Sequence, residues 1–117
     1  MTIKKLLTIR KALESLRAEV RKIGFQTAGK ENRFIDFMVD DDPITRAINK
    51  IDLLDDYQQT EVCVGDCIMN ELFTDTSTLE NIDDEQIKSD SIFINNKVEQ
   101  IMLKFRLNRR EDNFNHE

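Results

Sequence analysis

Few residues in this chain have the types and spacing for chemistry. Cys63 and Cys67 stand four apart, which on a helix puts both thiols on one face about one turn apart. Two thiolates supply half of a tetrahedral zinc site. The other half would have to come from Glu61, Asp66 or a second subunit, because the only histidine is His116, near the end of the chain. The C-x-x-C spacing of thiol oxidoreductases is absent. Two packed thiols are therefore expected, with no metal and no cofactor.

The acidic triplet Asp40, Asp41 and Asp42 lacks the alternating ligands and central glycine of a calcium loop. Helix capping and solubility explain it more simply. The run Asp83, Asp84 and Glu85 reads in the same way as a solvated charge cluster. The segment GFQTAGKENR at 24–33 carries two glycines, but not the spacing of a phosphate-binding loop, and no strand evidently precedes it. A nucleophilic triad would have to recruit His116. Residues 34–90 hold sixteen carboxylates, yet no spacing selects one pair for acid–base work. The chain is not expected to be an enzyme.

Charge is divided along the sequence. Residues 1–33 hold nine Lys/Arg against three Glu, whereas residues 34–90 hold three Lys/Arg against sixteen Asp/Glu. The simplest consequence is internal, a basic helix lying beside an acidic partner in the same chain or in a second copy. Two alternatives are binding of nucleic acid by the basic N-terminal helix together with Arg106, Arg109 and Arg110, and mimicry of nucleic acid by the acidic segment. A net charge of −6 opposes the first of these.

The elements that must position these groups read as helices. Three glycines and one proline in 117 residues leave too few breakers for an all-β fold. Helix one is expected over 3–23, with Leu6, Ile9, Leu13, Leu16, Val20 and Ile23 as a packing or self-association seam at alternating spacings of three and four. Ile3 and Leu7 widen the seam, and Gly24 stands where a helix stop is expected. The apolar run at 34–39 suits either a strand or a buried helical turn. Asp42 before Pro43 predicts a helix start.

Helix two is expected from Pro43 to about Phe73, with an apolar stripe that includes Leu54, Tyr57, Val64, Ile68 and Leu72. The stripe weakens at Gln58, Gln59 and Glu61, so a bend or break is expected between 58 and Gly65. A short helix around 78–88 follows from the Ser77–Glu80 capping spacing, with Leu79, Ile82 and Ile87 inward. Helix three is expected over 92–108, capped by Asp90 or Ser91. Residues 1–110 form one expected domain, and residues 111–117 a frayed tail.

The predicted fold is all-α, a small helical bundle with one long central helix. No stretch is apolar enough to span a membrane. Charges interrupt the N-terminal leucines, and Glu14 and Glu19 oppose a transit peptide, so a structural helix is expected there. Two cysteines make no disulfide scaffold, so a reduced, cytoplasmic protein is expected. The predicted function is a small acidic protein–protein interaction module, an adaptor, inhibitor or assembly subunit. Its candidate partner surface comprises Asp40, Asp41, Asp42, Asp55, Asp56, Asp83, Asp84 and Glu85. Self-association, most simply as a homodimer, follows from the regular seam and the length of helix two.

Overall fold

The computed structural model describes residues 1–29, 32–73 and 79–108. Among these, four α-helices and one 3₁₀ turn form a helical bundle, and there is no strand. The helices are α1 (Ile3–Thr27), α2 (Pro43–Asp52), α3 (Glu61–Leu72) and α4 (Glu85–Lys104), with the 3₁₀ turn at Ile35–Phe37. The expectations for Ser77, Arg109, Arg110, His116 and the 111–117 tail lie outside the described residues.

Helix α1 begins at the Thr2 cap, whose hydroxyl accepts from the Lys5 amide at 3.1 Å. It runs past Gly24 and ends at Thr27, four residues beyond the expected limit. Gly24 is buried, and a Cβ there would collide with the Met38 sulfur and lie 3.1 Å from the Arg33 carbonyl. The missing side chain thus lets the returning chain pass close to the helix. It is not a stop signal.

The long central helix divides in two. The Asp42 carboxylate caps α2, as the Asp-Pro pair predicts, but the helix ends at Asp52, and residues 53–60 form a loop. Asp55, Asp56, Tyr57 and Gln58 are all exposed, so continued helix would bury nothing there. The loop satisfies its own backbone: the Gln58 amide donates to the Asp55 carboxylate at 2.9 Å, and the Asp55 amide donates to the Gln58 side chain at 3.2 Å. Thr60 then caps α3 by accepting from the Cys63 amide. Gly65 is no bend. It sits buried in α3, where the backbone of Asn108 passes so close that a Cβ would strike it.

The last helix starts seven residues before the expected position, because Asp84 caps it by accepting from the amides of Gln86 and Ile87 at 2.9 and 3.1 Å. Asp90 and Ser91 are therefore interior residues. Leu79 is buried and Ile82 half-buried, but Ile87 is exposed on the first turn of α4 and not inward. The helix ends without glycine. Arg106 takes the left-handed conformation (φ 55°), its amide donates to the Leu103 carbonyl at 3.2 Å, and the Leu107 amide donates to the Met102 carbonyl at 2.8 Å. This is a Schellman stop, and the left-handed arginine costs about 1 kcal/mol. Burial of Leu107 in the core offsets that cost.

The core joins Ile9, Leu13, Leu16 and Val20 of α1 to Ile44, Ala47, Ile48 and Ile51 of α2, Val64, Ile68 and Leu72 of α3, and Ile94, Val98 and Met102 of α4. Leu6 and Ile23 are half-buried against it. The seam is thus occupied by its own chain.

The basic face of α1 runs antiparallel to α2 as a charge ladder. Arg10 meets Asp52 at 2.9 Å, Arg17 donates to the Thr45 hydroxyl at 2.9 Å, and Arg21 pairs with Asp42. Lys5 reaches Glu61 of α3 at 3.3 Å.

Candidate partner-binding cleft

A cleft of about 420 Å³ opens between the 3₁₀ turn, the start of α2, the end of α3 and the first turns of α4. Phe34, Phe37, Leu72 and Ile94 line it with apolar surface, and Asp36, Glu71, Asp84 and Asp90 bring carboxylates to it. Ile35 and Ile87, 58% and 54% exposed, also line it. The residues come from segments far apart in sequence, so each wall needs its own account.

Asp90 organises one wall. Its carboxylate accepts from the Arg33 guanidinium at 2.8 Å, the Phe34 amide at 3.2 Å and the Gln86 side chain at 2.9 Å. These bonds tie the 3₁₀ turn to α4 and hold Phe34 in a left-handed conformation (φ 55°), a strained state for an aromatic residue. The buried Phe34 ring also packs 5.4 Å from Phe93 and edge-on to Phe37 at 6.4 Å, with the Arg33 guanidinium 4.8 Å above it.

Glu71 forms the opposite corner. It pairs with Lys50 and with Arg46, the latter at 2.9 Å. Lys50 first, and then Arg46, holds its carboxyl below the ordinary glutamate range. A carboxylate with a depressed folded-state pKa adds stability that is present above the unfolded pKa and lost as pH falls through the folded value. Glu61 behaves alike, through a bond from its own backbone amide and then through Lys5. Stability should therefore fall on acidification below pH about 4.5. Urea titrations across that range should find Glu71→Gln less stable than the parent at neutral pH, with the gap closing in acid. A gap independent of pH would exclude the ion pairs as its source.

The predicted acidic surface falls into three parts. Asp40 and Asp41 are exposed between Phe37 and Pro43, which both line the cleft, and Asp83, Asp84 and Glu85 are exposed at the start of α4. Asp55 and Asp56 are exposed on the separate α2–α3 loop. Asp42 does not belong to any surface. It is fully buried, because capping Thr45 and pairing with Arg21 take its carboxylate inward.

Cys63 and Cys67 are both free and half-buried, and burial pushes the Cys67 thiol up from its ordinary pKa. Among the described residues, no group of three or more His, Cys, Asp or Glu is placed to hold a metal ion. No helix there is long and apolar enough to cross a membrane.

Sequence reasoning missed Phe34, Glu71 and Asp90 as cleft residues. Asp90 was visible only as a possible cap, and nothing local marks Phe34 as left-handed. Compared with known proteins, the chain matches no family model, no curated protein and no solved structure.

Proposed function

We propose that the protein is a binding module whose cleft receives a basic segment of a partner protein. One apolar side chain of that segment would sit on Phe34, Phe37 and Leu72, with flanking lysines or arginines facing Asp36 and Asp84. The observation that carries this reading is the combination of an apolar floor with rim carboxylates, Asp36 and Asp84, that form no ion pair among the described residues. The volume falls in the range of small recognition pockets, about 300–1,000 Å³. An apolar anchor supplies affinity there, and charge complementarity supplies orientation and association rate.

Binding of nucleic acid by α1 has less support. Lys5, Arg10, Arg17 and Arg21 face partners within the chain. Lys4, Lys11 and Lys22 are left as its exposed cations.

Calorimetry with synthetic peptides, each carrying one Phe or Leu flanked by Lys or Arg, tests the proposal. Binding should weaken about tenfold in Asp36→Lys, the effect of about 1.4 kcal/mol. Asp84→Asn, which retains a good helix cap, should also weaken it. Equal affinity for acid-flanked control peptides, or no response to either substitution, would sink the cleft as the site. Binding of duplex DNA that falls steeply with salt would favour the nucleic-acid reading.

A further inference from the structure

The structure carries a second apolar groove, on a different face and with the opposite charge. It lies between α1 and α4, with a volume of about 370 Å³. Leu16, Ile101 and Phe105 give it an apolar floor, and the small residues Ala12 and Ser15 keep the α1 side shallow. Lys97 and Lys104 stand on its α4 side, their ammonium groups 5.5 Å from the ring centres of Phe93 and Phe105. Exposed Lys11 adds a further charge one helical turn before Ser15. Glu19, 3.7 Å from Lys97, is the groove's single acid.

The α2–α3 loop has the complementary character. Tyr57 and Leu53 are the two most exposed large hydrophobic residues described, at 95% and 84%. Asp55 and Asp56 stand between them, exposed and without an ion pair among the described residues. The loop is braced, since the paired Asp55–Gln58 bonds close it and the Gln59 side chain donates to the Leu54 carbonyl at 3.2 Å. Leu54 anchors it by packing on the core. A pre-formed loop loses little conformational entropy on docking, and tyrosine is among the side chains enriched as interface anchors. With Tyr57 almost wholly in solvent, the loop does not occupy its own chain's groove.

We propose that the α1–α4 groove seats the α2–α3 loop of a second copy, with Tyr57 and Leu53 on the apolar floor and Asp55 and Asp56 against Lys97 and Lys104. The two surfaces differ, so the contact is heterologous. It closes into a ring if the rotation allows and otherwise extends as a chain. The contact is small, so association is weak and salt-sensitive. It is independent of the cleft, whose residues it does not use.

The chain has one tyrosine and no tryptophan, so tyrosine emission reports on Tyr57 alone. Light scattering and tyrosine fluorescence of the whole chain, from micromolar to millimolar concentration at low and high salt, give the test. The expected result is a mass rising above the monomer together with a change in tyrosine emission, both suppressed by salt. Tyr57→Ser, at a solvated position that spares the fold, should weaken association about tenfold or more. Lys104→Glu should weaken it too, and combining it with Asp56→Lys should restore it, which a purely structural effect of either change would not do. A monomer throughout, or association unchanged in Tyr57→Ser, overturns the proposal. So does a charge-swapped pair that fails to recover.

Discussion

Leu13→Asp is expected to abolish the cooperative unfolding transition. Leu13 is fully buried at the centre of the α1 seam. Truncating a buried leucine alone costs about 2–5 kcal/mol, and an unpaired carboxylate in the same place adds a desolvation penalty of several kcal/mol more. A domain of this size holds only about 5–15 kcal/mol in total. The variant should show reduced helix content by circular dichroism and no sigmoidal urea transition. Leu16→Asp, buried at the next seam position, should behave alike. Helix content and a urea midpoint equal to the parent's in both variants would refute the seam as the core of the fold.

Asp42→Ala is the second large effect. Asp42 does three things from a fully buried position: it caps α2 by accepting from the Thr45 amide at 2.8 Å, it accepts from the Thr45 hydroxyl at 3.0 Å, and it pairs with Arg21. Arg21 in turn donates to the carbonyls of Phe37 at 3.1 Å and Val39 at 2.9 Å, so the pair holds the 3₁₀ segment against α1. Loss of the cap costs about 1 kcal/mol, and removal of one partner from a buried pair costs about 3–5 kcal/mol. Arg21 is partly solvated, which places the expected total near the lower end, about 3 kcal/mol. Asp42→Asn keeps the cap and should lose less. Chemical denaturation should rank parent, Asn and Ala in that order. A double-mutant cycle with Arg21→Ala should show coupling, and additive losses would mean that the pair contributes nothing.

The parts of this fold that were legible in the sequence are those written locally. The α1 seam could be read because alternating three- and four-residue spacing has one structural meaning, and the start of α2 because Asp-Pro satisfies both cap and first-turn geometry. The divided central helix was legible as a weakness at Gln58, Gln59 and Glu61, but not as a loop, because Tyr57 looks apolar whether it is buried or exposed. Gly24 and Gly65 misled for one physical reason. Glycine marks a helix end and a place where another backbone crosses a helix with the same letter, and only the fold decides between them. Arg106 shows the reverse, a helix stop without glycine that burial of Leu107 supports. The charge division along the chain anticipated contacts such as Arg10–Asp52 in sign but not in pairing. The cleft was illegible because Phe34, Leu72 and Ile94 meet only after the helices pack, and Asp90 becomes its clamp only when Arg33 and Phe34 arrive beside it.

The close passage of Asn108 over Gly65 also has a consequence in time. Synthesis runs toward the C-terminus, so α1, α2 and α3 are all polymerised before residues 105–108. Until then Gly65 lies uncovered and the core lacks Leu107. A chain that ended ahead of that stretch would keep its helices but leave their shared apolar surface unsealed where Leu107 packs. The stretch that ends α4 is therefore the last part of the described core to be made.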